Sequence, residues 1–126
     1  MSTAAQALPV EPMLADRISG MSLRKIGARH GISHTQVYKQ TEAAAESHLQ
    51  ATAAAIHKAQ DRDETFLIVL NGPIEAVKAG CLYCAWLIEG LERIGVECEL
   101  RFGEADGTPV VALTDTNYES DPEEDQ

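Results

Sequence analysis

The sequence predicts an α+β chain made of two unlike parts, an N-terminal trihelical unit whose third helix is extended and a small β-α-β-β domain. Three observations carry this. Apolar residues first recur at helical spacing, punctuated by Gly20 and Gly31, and after Thr65 the period shortens to that of strands. The charge also reverses. Six Lys/Arg face four acids through Gln60, while four face sixteen from Asp61 onward, within an overall net charge of −10.

Residues 1–10 are small and polar and read as disordered. A first helix is predicted over residues 12–19, with Leu14 and Ile18 on one face and Gly20 as its stop. Ser22 can cap a second helix over residues 23–30, ended by Gly31. Ser33 can cap a third, and because residues 35–60 contain neither Gly nor Pro and are rich in alanine, that helix has no stop for many turns. Leu14, Ile18, Met21, Leu23, Ile26, Ile32 and Val37 are the expected core of this unit, residues 11–43. Residues 44–62 form the connecting helix. Its thin seam of Leu49 and Ile56, with Ala45, Thr52 and Ala59, suits either close helix pairing or a solvated connector.

The second domain is expected over residues 63–115. Residues 65–70 are an uninterrupted apolar strand, and Pro73 opens a helix whose buried stripe is Val77, Cys81, Cys84, Ile88 and Leu91. Residues 96–102 alternate, with Val96, Cys98, Leu100 and Phe102 on one face and Glu97, Glu99 and Arg101 on the other. Asp106-Gly107 signals a hairpin turn into a last strand, residues 109–114. The remainder, residues 116–126, reads as a disordered acidic tail. In such a sheet the first strand lies at an edge, yet it carries no charge or proline to guard that edge. A homodimer through Phe66, Ile68 and Leu70, together with a second helix face of Leu82, Tyr83 and Trp86, is the expected remedy.

The functional signal lies in residues 24–39. Two helices crossing at a sharp angle need a small residue at the crossing, a glycine in the turn and an apolar anchor midway along the second helix. Gly27, Gly31 and Val37 supply these at matching spacing. From Arg17 to Thr41 there are five basic residues and no acid. With Val37 inward, Ser33, His34, Thr35, Gln36, Tyr38 and Lys39 are the expected base-reading residues, with Gln36 suited to adenine and Lys39 to guanine or phosphate. Arg24, Lys25 and Arg29 are the expected phosphate contacts.

This segment resembles the helix-turn-helix of resolvase and invertase tails, transposase DNA-binding domains and region 4 of sigma factors. The resemblance covers residues 16–41, a fifth of the chain, and His30 departs from it by standing where those families favour an apolar side chain. It implies binding of double-stranded DNA and no enzymatic activity. The second half resembles no family.

Other chemistry finds less support. Cys81 and Cys84 form a C-x-x-C, but both fall on the predicted core stripe, and only Cys98 could be a third thiol ligand. An odd cysteine count suits reduced thiols. His30, His34, His48 and His57 have no metal-ligand spacing, and His48 and His57 are expected to be solvated. No metal or cofactor is expected. The tail acids Asp121, Glu123, Glu124 and Asp125 suit solubility, or competition with DNA for the basic face. With no membrane span and no signal-peptide pattern, the expected location is cytoplasmic. The expectation is a dimeric, sequence-specific DNA-binding regulator of bacterial, phage or plasmid type. The alternatives are a recombination or DNA-packaging accessory factor, an adaptor docking a host or polymerase protein, and a small-molecule sensor.

Overall fold

The computed structural model describes residues 4–6 and 9–119, the first segment as backbone alone. The chain is mixed α+β. In order the elements are β1 (Ala4–Gln6), α1 (Pro12–Ile18), α2 (Leu23–His30), α3 (His34–Asp61), β2 (Thr65–Val69), α4 (Ile74–Arg93), β3 (Cys98–Ala105) and β4 (Thr108–Asp115). No described helix is long and apolar enough to cross a membrane.

The helix boundaries follow from capping chemistry. The Glu11 carboxylate accepts the Met13 and Leu14 amides, and Pro12 sits where its missing N–H costs nothing. The Ser22 hydroxyl accepts from the Lys25 amide, and Gly31 closes α2 at φ 74°, a left-handed conformation that suits glycine. A capping box starts α3: Ser33 accepts from the Gln36 amide while the Gln36 side chain accepts from the Ser33 amide. Leu14, Ile26 and Val37 are buried where these helices meet, whereas Ile18, Met21, Leu23 and Ile32 are only half-buried, so the core here is smaller than predicted. Gly27 is essential to the crossing, because a Cβ there would lie 2.5 Å from the Ile32 carbonyl oxygen.

In the second half the strand order is β1-β2-β4-β3, with β2, β4 and β3 antiparallel and β1 parallel to β2. The chain leaves β2, crosses through α4 to β3, and returns as β4 between them, a split β-α-β arrangement. Phe66 and Ile68 register with Leu113 and Val111, and this face packs under α3 (Leu49, Ala53, Ile56, Ala59) and α4 (Cys84, Leu87, Leu91). Gly90 lets the two helices approach, since a Cβ there would meet Leu49 at 2.7 Å.

Several expectations are corrected. The edge of β2 is covered by β1, a strand lying where the sequence predicts no structure, so that edge no longer calls for a second chain. Phe66, Ile68 and Leu70 belong to the protomer's own core and are not available as interface side chains. The inward face of α4 is Cys84, Leu87 and Leu91; Cys81 is exposed, and Val77 and Ile88 are half-buried. Tyr83 and Trp86 pack on α3, leaving Leu82 as the exposed member of the predicted helix face. The α3 seam is neither solvated nor paired with another chain's helix: Leu49, Thr52, Ile56 and Ala59 are buried within this one.

Two histidines expected in solvent are built in. His48 is buried, its Nε2 2.7 Å from the Tyr83 hydroxyl, and its ring packs near Tyr83 and Trp86. His57 bonds the buried Asp115 carboxylate at 2.7 Å and stacks on Tyr118. Residues 116–119 are therefore part of the fold, because Thr116 bonds the Glu97 carbonyl and Tyr118 donates to Asp61. The tail acids Asp121, Glu123, Glu124 and Asp125 lie outside the described residues.

Two measurements follow. Gly27→Ala is expected to lower stability by about 1–3 kcal/mol in denaturant unfolding, because the clash is with backbone that cannot swing away. Burial also lowers the pKa of His48 from its usual 6.5. As pH falls through that value the unfolded chain gains the proton first, so this group erodes stability on acidification. His48→Gln is expected to make the fall in Tm shallower as pH is lowered from neutrality; an unchanged slope would remove His48 as a contributor.

Candidate nucleic-acid interface

The start of α3 is fixed by three features: Val37 is fully buried, Gly31 sets the turn, and the capping box holds the first turn. One helical repeat then decides what faces outward. Ser33, His34, Thr35, Gln36, Tyr38 and Lys39 are all exposed, as are Arg24, Lys25 and Arg29 on α2. All nine predicted contact residues thus lie on the surface of the same two helices.

Their charges are not equally available. Asp16 of α1 receives Arg29 Nη1 at 3.4 Å and His30 Nε2 at 3.3 Å, so one acid at the border of the acid-free run draws on both. His30 is thus a tie between α1 and α2. Arg17 donates to the buried Thr41 hydroxyl and pairs with Glu42, both at 2.7 Å, and its guanidinium lies 5.2 Å from the Tyr38 ring centroid. Tyr38 is consequently turned toward α1. Arg24, Lys25 and Lys39 make no ion pair among the described residues, and all three side chains reach solvent.

Gln36 has a second duty. Its Oε1 accepts the Ser33 amide at 3.4 Å, so bidentate recognition of a base would trade away half of the capping box. The Ser33 and Gln36 side chains, three residues apart, are a cap signal as much as a reading signal. The ties from Asp16 and Arg17 were not readable, since each joins α1 to another helix across 13 or more residues of sequence.

Elsewhere the chemistry is structural. The Cys84 thiol is buried, and its pKa is pushed up to about 11 mainly by burial; Cys98 is half-buried and likewise pushed up to about 11. Such thiols are poor nucleophiles near neutrality. Burial also pushes the Tyr83 hydroxyl up to about 12, so it acts as a hydrogen-bonding group. No group of three or more His, Cys, Asp or Glu among the described residues is placed to hold a metal. The cleft of about 550 Å³ between the first helices and α4 presents Arg17 and Arg93 but also Glu42, Glu46 and Glu89, a mixture with no convergent ligand chemistry. The chain matches no protein-family model, no curated protein and no solved structure, so any functional reading rests on the residues themselves.

Proposed function

We propose that the chain is a sequence-specific DNA-binding protein, acting as a homodimeric transcriptional regulator, with α2, the Gly31 turn and the start of α3 as its helix-turn-helix. One observation carries the reading: an acid-free outward face, with Arg24, Lys25, His34, Thr35 and Lys39 exposed, stands on a helix start that Gly27, Gly31 and Val37 hold rigid. Rigid presentation of donors on a helix start is what reading the major groove requires. Lys39, His34 and Thr35 are the base-facing residues, while Arg24 and Lys25 contact phosphates and set the register. Arg29, Tyr38 and Gln36 take part through structure as well as contact, because each is engaged within the protomer. A single motif offers few base contacts, and association of two copies doubles the interface.

Selection of bound sequences from random duplex DNA, followed by anisotropy titration, tests this. Lys39→Ala is expected to lose about 1–3 kcal/mol of binding to the selected sequence with unchanged circular dichroism. Arg24→Ala and Lys25→Ala are expected to weaken binding on all sequences and to reduce the salt slope by about one each. Failure to enrich any sequence at low salt, or indifference of binding to all three substitutions, would overturn the assignment.

A further inference from the structure

β3 is an open edge of the sheet: β4 pairs with it on one side, and among the described residues nothing pairs with it on the other. The turn fixes which backbone groups it offers. Asp106 and Gly107 have φ of 54° and 81°, the two-residue hairpin in which the flanking pair exchanges both hydrogen bonds. Ala105 and Thr108 are that pair, so Gly103, Arg101 and Glu99 also turn toward β4. Cys98, Leu100 and Phe102 therefore direct their N–H and C=O groups to the open side. Their side chains lie on the helix-bearing face, in register with Asp115, Leu113 and Val111, and Phe102 is 72% exposed there. Over residues 98–102 no proline and no helix-side charge guards the edge.

We propose that β3 pairs with β3 of a second copy of this chain, antiparallel about a two-fold axis at Leu100, joining the two sheets into one. Opposed residues in an antiparallel pair share a face, so the axis must fall on a residue. An axis at Glu99 or Arg101 sets like charges against each other, one at Cys98 opposes Glu97 to Glu99, and one at Phe102 opposes Leu100 to Glu104. Only the axis at Leu100 sets Glu99 against the partner's Arg101 twice on the outer face. On the inner face it then sets Leu100 on its own copy and Phe102 over the partner's Cys98. Glu99 and Arg101 already lie 3.3 Å apart within one strand, so the two pairs merge into a four-charge cluster. This supplies the interface for the homodimer proposed above and does not depend on DNA.

Sedimentation of the full chain without DNA tests it. The wild type is expected to be a dimer. Glu99→Arg and Arg101→Glu alone are each expected to weaken association roughly tenfold or more, with unchanged circular dichroism. An equimolar mixture of the two variants, and the double variant Glu99→Arg/Arg101→Glu, restore complementarity and are expected to dimerise. A monomeric wild type, single variants that associate as tightly as wild type, or a mixture that stays monomeric each overturns the register. A dimer that behaves as expected yet selects no DNA sequence overturns the DNA reading alone.

Discussion

The fold depends on α3 being one uninterrupted helix of 28 residues. Near its start Val37 and Thr41 are buried against α1 and α2; further along, His48, Leu49, Thr52, Ala53, Ile56 and Ala59 are buried against α4 and the sheet. Two small cores that could each be marginal alone share a single rod. At 1.5 Å per residue, Lys39 stands about 33 Å along the axis from Asp61. Residues 35–60 contain neither Gly nor Pro, so the breaks those residues cause are missing from this helix. The direction in which the exposed face of α3 points is thereby tied to the orientation of the sheet.

The buried stripe of that rod sets Thr41, His48 and Thr52 among Val37, Leu49, Ala53, Ile56 and Ala59, so apolar packing is not alone in fixing its rotation. Polar ties set the rotation. Thr41 accepts from Arg17 at one end, His48 meets Tyr83 in the middle, and at the other end Gln60 both accepts the Asp115 amide at 2.9 Å and donates to its carbonyl at 3.2 Å. The Asp115 carboxylate is satisfied by His57 and by the Asn117 amide. A buried acid satisfied this way is strongly directional, since any rotation of α3 leaves an unpaired group in the interior. The same ties explain why the chain stays ordered past β4, where composition suggests a loose tail.

Local signals were legible and long-range ones were not. Ser22, Gly31 and Ser33 act through backbone hydrogen bonds within a few residues, so the starts and stops of the first helices could be read directly, as could the Asp106-Gly107 turn. The inward face of α4 could not. Cys84 and Leu91 of the expected stripe are buried, but Leu87 joins them while Cys81 is exposed and Val77 and Ile88 are only half-buried, because the facing surface of α3 and the sheet selects the side of α4 that turns inward. The exposed set at the start of α3 was legible because Val37 fixes its phase. The engagement of Arg29, His30 and Gln36 was not, since it needs the position of Asp16 and the geometry of the cap. β1 was hidden for a related reason: three residues without strand character pair with β2 only because its edge is open.

Charge segregation then acquires a physical meaning on the proposed reading. Screening confines a surface charge to about 8 Å at physiological salt, so, while Glu89 of α4 shares a cleft with Arg17, the described acids of the sheet act on the remote end of α3 only weakly. What they oppose is diffuse attraction of the whole molecule to a polyanion. The near acids are few, and Asp16 and Glu42 are already paired with Arg29, His30 and Arg17. The cations left over, Arg24, Lys25 and Lys39, neutralise too few phosphates to hold DNA of arbitrary sequence against that repulsion. Binding then rests on base-edge contacts made by a correctly aimed α3, and the rigidity of that helix becomes the quantity on which selectivity depends.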